Sequence, residues 1–400
     1  MLPRPPVRRH EPARAQQPLR LGGPRLGYRP ALDGIRAIAV VAVMLYHSGA
    51  TIARGGFLGV DAFFVLSGFL ITALLVEEWA RTGSISFRQF YSRRALRLLP
   101  ALFGVLLGSA AIALTIASPE MRDGTWRGIV VTVLYVANWE KVFSNRSVGV
   151  LGHTWSLSIE EQFYLLWPPL LFVLLRRGWP IRRLLAITGS LAVAAAATRV
   201  GLLLSRASST GSLYNGLHTR ADSLLVGCAA ALAFSSGLIP AGKWPRPLRL
   251  LVAGALPLAL LACLVDGGVG SDDPHWYEFG FLLFAAAVAA LILALVTNQV
   301  GGWVFSWRPL VWLGVRSYGI YLWHLPIHEA IKMLGLGASW PQAAYLALNV
   351  APSLAIAALS YHFVEAPALA LKKRLAGRPA ALRVPLPADP VPAYALVRAK

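Results

Sequence analysis

His153-Thr-Trp-Ser-Leu-Ser-Ile-Glu160-Glu161-Gln-Phe-Tyr-Leu165 is the stretch on which the reading of the fold turns. It runs on through Leu166-Trp167-Pro168-Pro169 into the apolar run Leu170-Leu-Phe-Val-Leu-Leu175. A histidine and two carboxylates therefore stand at the mouth of an apolar helix. Ionisable groups at membrane depth are rare. Those that persist face a bundle interior or a wet cavity, where they do chemistry or conduct a solute. The stretch thus predicts a helix surrounded by other helices, with its polar groups turned inward.

The composition agrees. Of the 400 residues, 56% are hydrophobic and 14% are charged, against about 25% charged in soluble domains. A membrane span needs about 20 mostly apolar residues. Candidate runs fall at 31–50, 57–78, 99–118, 156–175, 184–204, 218–236, 248–265, 279–298, 311–328 and 342–364. They predict an all-α integral membrane protein, a bundle of about ten transmembrane helices. The run 128–138 is apolar but short and reads as a re-entrant or interfacial piece. No repeat period and no soluble second domain are visible.

The net charge is +20. Nucleic acid is set aside as a partner, because Lys and Arg sit between the apolar runs and in the tails, the pattern of the positive-inside rule. The basic loops are 79–98, 176–183 and 237–247, while 266–278 carries Asp266, Asp272, Asp273 and Glu278. Basic loops on the cytoplasmic side put both termini there, provided that 119–153 makes no net crossing. Residues 1–28, rich in Arg and Pro, read as a disordered basic arm, and 365–400 as a basic cytoplasmic tail. Cys228 and Cys263 both lie in apolar runs and read as small core hydrophobes.

Several polar residues interrupt the spans. Asp33, Arg36 and His47 stand in the first. Eleven residues separate Arg36 from His47, almost three whole turns, so the two share a face about 16 Å apart along the axis. Asp61 opens the second span and is expected near the same outer mouth as His47. Ser67-Gly68 reads as a small-residue contact between helices. Arg93, Arg94 and Arg97 precede the third span and suit an anion site, since guanidiniums grip phosphates through forked hydrogen bonds. His153 and Glu160, seven residues apart, are expected on one helical face, with Glu161 turned about 100° away. Trp155, Tyr164 and Trp167 read as an aromatic belt. His218, Arg199, Arg220 and Asp222 read as a buried paired network. His324 and His328 are spaced i, i+4, but without a His-Glu-x-x-His pattern or a third ligand no metal site is expected. Walker A, Gly-x-Ser-x-Gly and Gly-x-Gly-x-x-Gly motifs are missing, so ATP-driven pumping and serine hydrolysis have no support.

Taken together these motifs resemble the membrane-bound acyltransferase-3 family over residues 29–364. The resemblance rests on Leu32-Asp33-Gly34-Ile35-Arg36-Ala37 followed by His47, on Gly59-Val60-Asp61-Ala-Phe63-Phe64-Val65-Leu66-Ser67-Gly68, and on Tyr91-Ser-Arg93-Arg94-Ala-Leu-Arg97. It continues through the His153–Tyr164 stretch, Ser317-Tyr318-Gly-Ile-Tyr321-Leu-Trp323-His324-Leu-Pro326 and Phe363-Val364-Glu365-Ala-Pro367. It implies an O-acyltransferase that moves an acyl group, usually acetyl, from acyl-CoA to a hydroxyl. Acceptors in the family are mostly sugars of surface glycans or glycolipids, and in some members macrolides or other small metabolites. Some members carry an appended hydrolase-like domain, which this sequence is expected to lack.

The mechanism expected under that resemblance uses acyl-CoA as co-substrate and no permanently bound cofactor. Arg93, Arg94 and Arg97 hold the CoA phosphates. His47 is the general base, and Glu160 orients or shares its proton with His47 or His153. Arg36, Asp33, Asp61 and Glu161 support them. The expected setting is a bacterial plasma membrane, with membrane lipid around the bundle. A proton-coupled transporter or flippase is the alternative from another class.

Overall fold

The computed structural model describes residues 23–144, 146–240, 244–266, 271, 273–298 and 302–375. Most of the basic arm 1–28, the tail beyond 375, Lys243 and Asp272 lie outside the described residues. Every regular element among the described residues is helical. In chain order these are α1 (Pro30–His47), α2 (Gly59–Thr82), α3 (Phe87–Thr115), α4 (Pro119–Val133), α5 (Ala137–Phe143), a 3₁₀ turn at Gly149–Thr154, and α6 (Trp155–Arg176). Then come α7 (Ile181–Leu204), α8 (Thr210–Asn215), α9 (Leu217–Ser235), α10 (Arg246–Leu250), α11 (Leu256–Asp266), α12 (Phe281–Val296) and α13 (Arg308–Val315). The last three are α14 (Ser317–Met333), α15 (Gln342–Ser360) and α16 (Ala366–Leu375).

Seven described helical stretches are long and apolar enough to cross a membrane. Three further expected spans correspond to α6, α9 and α14. α6 carries Glu160 and Glu161, α9 carries Arg220 and Asp222, and α14 is only 17 residues long. Their ionisable groups are accommodated because much of each helix is buried. α7, the stretch Arg246–Val265 and α15 bury little and turn their apolar faces outward.

The middle of the bundle is set by close backbone contact between α2 and α9. A Cβ on Gly68 would come within 2.0 Å of the Leu224 carbonyl oxygen, and one on Gly227 within 2.1 Å of that of Val65. Only glycine permits this approach at both positions. It also draws Asp61 of α2 against Arg220 of α9, both fully buried.

The short apolar run 128–138 forms the turn of a helical hairpin. α4 has 15 residues and α5 has 7, too few to span about 30 Å of hydrocarbon. The chain reverses between them, with Tyr135 in the left-handed region at φ 53°. The hairpin is seated against the start of α6: the Thr132 and Thr154 hydroxyls are 2.8 Å apart, and Ala137 N donates to Ser158 Oγ at 3.2 Å. By length, neither α4 nor α5 crosses a membrane on its own.

Candidate active site

The site has two ends. The first is a cavity of about 1080 Å³ between α1, α2, α3, α6 and α14. Arg25, Arg36, Arg81, Arg93, Arg94 and Arg97 line it, as do Phe63, Ser156 and Tyr321. The second is a cluster of imidazoles at the C-terminal end of α1, where His47 meets His324 and His153.

The arginines at the cavity are not equivalent. Arg94 donates from Nε and Nη2 to Glu161 Oε1 at 3.2 and 2.9 Å, and its guanidinium lies 3.3 Å over the Tyr164 ring. Arg93 is held by Gln89 at 3.2 Å and by Glu78 at 3.7 Å. Arg97 lines the cavity, is exposed there, and has no hydrogen-bond or ion-pair partner among the described residues. Arg36 has only a loose pair with Asp33 at 3.9 Å, while Tyr28 OH donates to Asp33 at 2.9 Å. Arg81 and Arg25 also line the cavity without a hydrogen-bond or ion-pair partner among the described residues, so the cationic groups left for a ligand are Arg97, Arg81, Arg25 and the loosely paired Arg36.

The two adjacent carboxylates are separated by the helix. Glu161 faces Arg94. Glu160 faces the cavity and accepts from Ser67 Oγ at 2.8 Å. Ser67 is therefore more than a packing residue: its neighbour Gly68 makes the close helix contact, and Ser67 itself donates to the carboxylate. Trp155, Tyr164 and Trp167 form no surface belt. All three are buried inside the bundle, and Trp167 Nε1 donates to Thr72 Oγ1 at 2.8 Å.

His153 does not share a helical face with Glu160, because it lies on the 3₁₀ turn before α6 begins. Its partner comes from α14. Pro326 has no N–H to give the carbonyl four residues back, that of Leu322. His153 Nε2 lies 3.1 Å from this freed Leu322 oxygen and donates to it. Tyr321 OH donates to the His153 carbonyl at 2.8 Å and lies 2.5 Å from Ser156 Oγ. The Tyr321 ring stands 6.4 Å from Phe63 and 5.5 Å from His324, centre to centre. Tyr321 and Phe63 thus close the cavity's inner end, with the imidazoles beyond.

His47 Nδ1 lies 3.0 Å from Val43 O and 3.2 Å from His324 Nε2. His324 Nδ1 lies 2.6 Å from Tyr321 O. The ring centres of His153 and His324 are 5.1 Å apart. His328, one turn further along α14, donates from Nδ1 to Asn349 Oδ1 at 2.8 Å. Lys141 of α5 is half-buried, has no ion-pair partner among the described residues, and acts electrostatically on both His47 and His153. Burial pushes its ammonium down to about 8.

Asp61, in the first turn of α2, is engaged by α9. Arg220 Nη2 donates to both its oxygens at 2.7 Å and Ser223 Oγ donates at 2.9 Å. Beside it, Arg199 pairs with Asp222 at 2.8 Å and donates from Nε to Tyr277 O at 2.9 Å. The expected buried network is present, with Asp61 added to it. His218 is outside it, stacked on Trp139 with ring centres 5.7 Å apart. Sequence reasoning assigned His324, Ser67 and Tyr321 no role in the site. One signal pointed to the first region: Pro326 four residues after Leu322 marks a carbonyl in need of a donor.

A helical bundle that holds a basic cavity against a cluster of buried imidazoles is the architecture expected of a membrane acyltransferase. Residues 29–362 match the family model described as an acyltransferase domain, and the chain belongs to this acyltransferase-3 family. It is 37% identical over 350 residues to the peptidoglycan O-acetyltransferase OatA of Listeria monocytogenes, covering 85% of this chain and 56% of that protein. It is 36% identical over 355 residues to the putative peptidoglycan O-acetyltransferase YrhL of Bacillus subtilis, covering 85% and 55%. Against the O-acetyltransferase OatA of Staphylococcus aureus it is 34% identical over 353 residues, covering 85% and 57%. The chain thus spans little more than half the length of these curated relatives. No solved structure matches it.

Proposed function

We propose that this chain is an integral membrane O-acyltransferase that moves an acetyl group from acetyl-CoA to a hydroxyl of a cell-wall glycan. The observation that carries the reading is the cavity itself. Among the described residues it has unpaired guanidiniums at Arg97, Arg81 and Arg25 and a loosely paired one at Arg36, and its inner end abuts the Tyr321 ring, with the imidazole cluster behind. Family membership and the named glycan-modifying relatives favour acyl transfer over a carrier.

Arg97 and Arg36 take the phosphates and the polar arm of the donor. Arg93, Arg94 and Arg81 supply the surrounding positive potential. Glu160 and Ser67 form the polar wall along which the pantetheine arm runs. The thioester passes the Tyr321–Phe63 pair when these rings swing aside. His47 takes the proton from the acceptor hydroxyl, the oxygen attacks the thioester carbonyl, and the C–S bond breaks. The proton then passes from the imidazolium to the leaving thiolate, giving CoA thiol and the ester. The basic-cavity end faces the cytoplasm, where the donor is made, and the histidine end faces outward.

The test is His47→Ala in cells whose own O-acetyltransferase has been deleted. A positioned base contributes roughly 10²–10⁴-fold, so alkali-labile acetate on the wall glycan should vanish while the protein stays in the membrane. Normal acetate with His47→Ala overturns the role given to His47.

A further inference from the structure

We propose that His324 is the positioning residue that sets the tautomer and orientation of His47; the inference rests on the reading of His47 as base. The hydrogen-bond chain determines its own direction. His324 Nδ1 faces a backbone carbonyl, that of Tyr321, at 2.6 Å, so it carries the proton. A neutral imidazole has one donor and one acceptor nitrogen. His324 Nε2 is therefore an acceptor, and it lies 3.2 Å from His47 Nδ1. That same His47 nitrogen is 3.0 Å from the Val43 carbonyl. Both neighbours of His47 Nδ1 accept, so Nδ1 carries the hydrogen and shares it between them. The lone pair is left on His47 Nε2, which has no hydrogen-bond partner among the described residues. This is the nitrogen that takes the hydroxyl proton.

The Val43 carbonyl alone does not fix the ring. It lies in the same helix as His47 and leaves the imidazole free to turn about its own side-chain bonds. The contact from α14 ties the ring to a second element. His324 is itself 2% exposed, so it offers its acceptor from a fixed place. The other groups around His47 do not compete for Nδ1. Tyr46 stands edge-on to it with ring centres 5.4 Å apart, His328 is engaged by Asn349, and His153 by Leu322 O. Lys141 acts on it through charge alone, from α5. Glu160, the carboxylate that sequence spacing assigned to this task, is bonded to Ser67 on the cavity side.

The experiment uses the full chain in proteoliposomes supplied with acetyl-CoA and soluble peptidoglycan fragments, reading CoA thiol release. His324→Leu removes the acceptor. His324→Gln keeps it, since an amide oxygen accepts from His47 while its NH₂ donates to Tyr321 O. In metal centres the group that orients a functional histidine is worth roughly 10–100-fold, and a kcat loss of that size is expected for His324→Leu with KM for acetyl-CoA unchanged. His324→Gln should recover most of the rate. In the double variant with His47→Ala, the His324→Leu loss should disappear, as it does for groups that act as a unit.

The outcomes separate the two assignments. An active His47→Ala protein, or no acetyl-CoA turnover by the unaltered chain, ends the reading of the base and this inference with it. An inactive His47→Ala protein beside a fully active His324→Leu protein overturns the inference alone. Equal losses in His324→Leu and His324→Gln, with lowered unfolding midpoints in both, also overturn it and make His324 a packing residue.

Discussion

Asp61→Asn separates a structural carboxylate from a reacting one. Asp61 and Arg220 are both 0% exposed, and Arg220 Nη2 reaches both carboxylate oxygens at 2.7 Å. The Arg220 Nε and Nη1 atoms have no hydrogen-bond partner among the described residues, so there Asp61 is the carboxylate that bonds it. The guanidinium also lies over the Phe281 ring at 3.6 Å and the Tyr214 ring at 5.0 Å. Asparagine removes the charge and turns an NH₂ toward a cation in one of its two orientations. Breaking a buried pair from one side costs about 3–5 kcal/mol, because the other charge is stranded. Replacing both partners by neutral groups is often close to neutral. Asp61→Asn should therefore lower the denaturation midpoint of the purified protein strongly, and Asp61→Asn with Arg220→Met should recover at least half of the loss. The assay is a titration with denaturing detergent, followed by intrinsic Trp fluorescence, beside O-acetyl measurements on the same preparations. An Asp61→Asn protein with an unchanged midpoint and no activity would refute the reasoning and move Asp61 into the reaction.

Two further outcomes follow from the same geometry. Arg97→Ala removes an unpaired guanidinium from the cavity, and a hydrogen bond to a charged group is worth about 1.5–3 kcal/mol. KM for acetyl-CoA should rise roughly 10- to 150-fold with the unfolding midpoint unchanged, whereas Arg94→Ala should lower the midpoint by stranding Glu161. Equal KM effects without any stability difference would show that the arginines act as an undivided charge patch. Gly68→Ala puts a methyl within 2.0 Å of the Leu224 carbonyl oxygen. Overpacking of this kind costs typically about 1–3 kcal/mol, so the variant should accumulate poorly in the membrane; wild-type abundance would mean that α2 and α9 can separate freely.

Much of the fold was legible because hydropathy reports a solvent preference that every span must satisfy. The helices, the short hairpin at 128–138 and the paired Arg220, Asp222 and Arg199 all follow from it. Spacing was less reliable at element ends. Seven residues between His153 and Glu160 mean a shared face only inside one helix, and α6 starts at Trp155. The three arginines were legible as a basic patch, but their division into spent and free cations depends on Glu161, Glu78 and Gln89, which other turns bring up. His324 is the clearest case. The role proposed for it rests on a contact 277 residues away in sequence, which no local pattern around it reveals. Trp155, Tyr164 and Trp167 were misplaced for the opposite reason. Their residue type suggested the interface, but the helix that carries them is enclosed by others.

The two ends of the site are joined by one helix. Tyr318 lines the cavity, Tyr321 closes it, His324 contacts His47, and His328 is anchored to α15 through Asn349. Spacings of three, three and four keep these residues on one stripe of α14. Pro326 lies on another face of α14 and breaks its hydrogen-bond ladder at Leu322, where His153 docks. A small shift of α14 therefore moves the Tyr321 ring and the His324 acceptor together. That linkage matches a chemical need. A thioester beside an exposed base and water would be hydrolysed, and excluding water prevents such side reactions. On the proposed function, Tyr321, held by Ser156 and the His153 carbonyl, stands between the donor's cavity and the imidazoles. On that proposal, release of Tyr321 would open the path on the same helix that carries the His324 contact to His47, so that opening and base alignment would be properties of a single element.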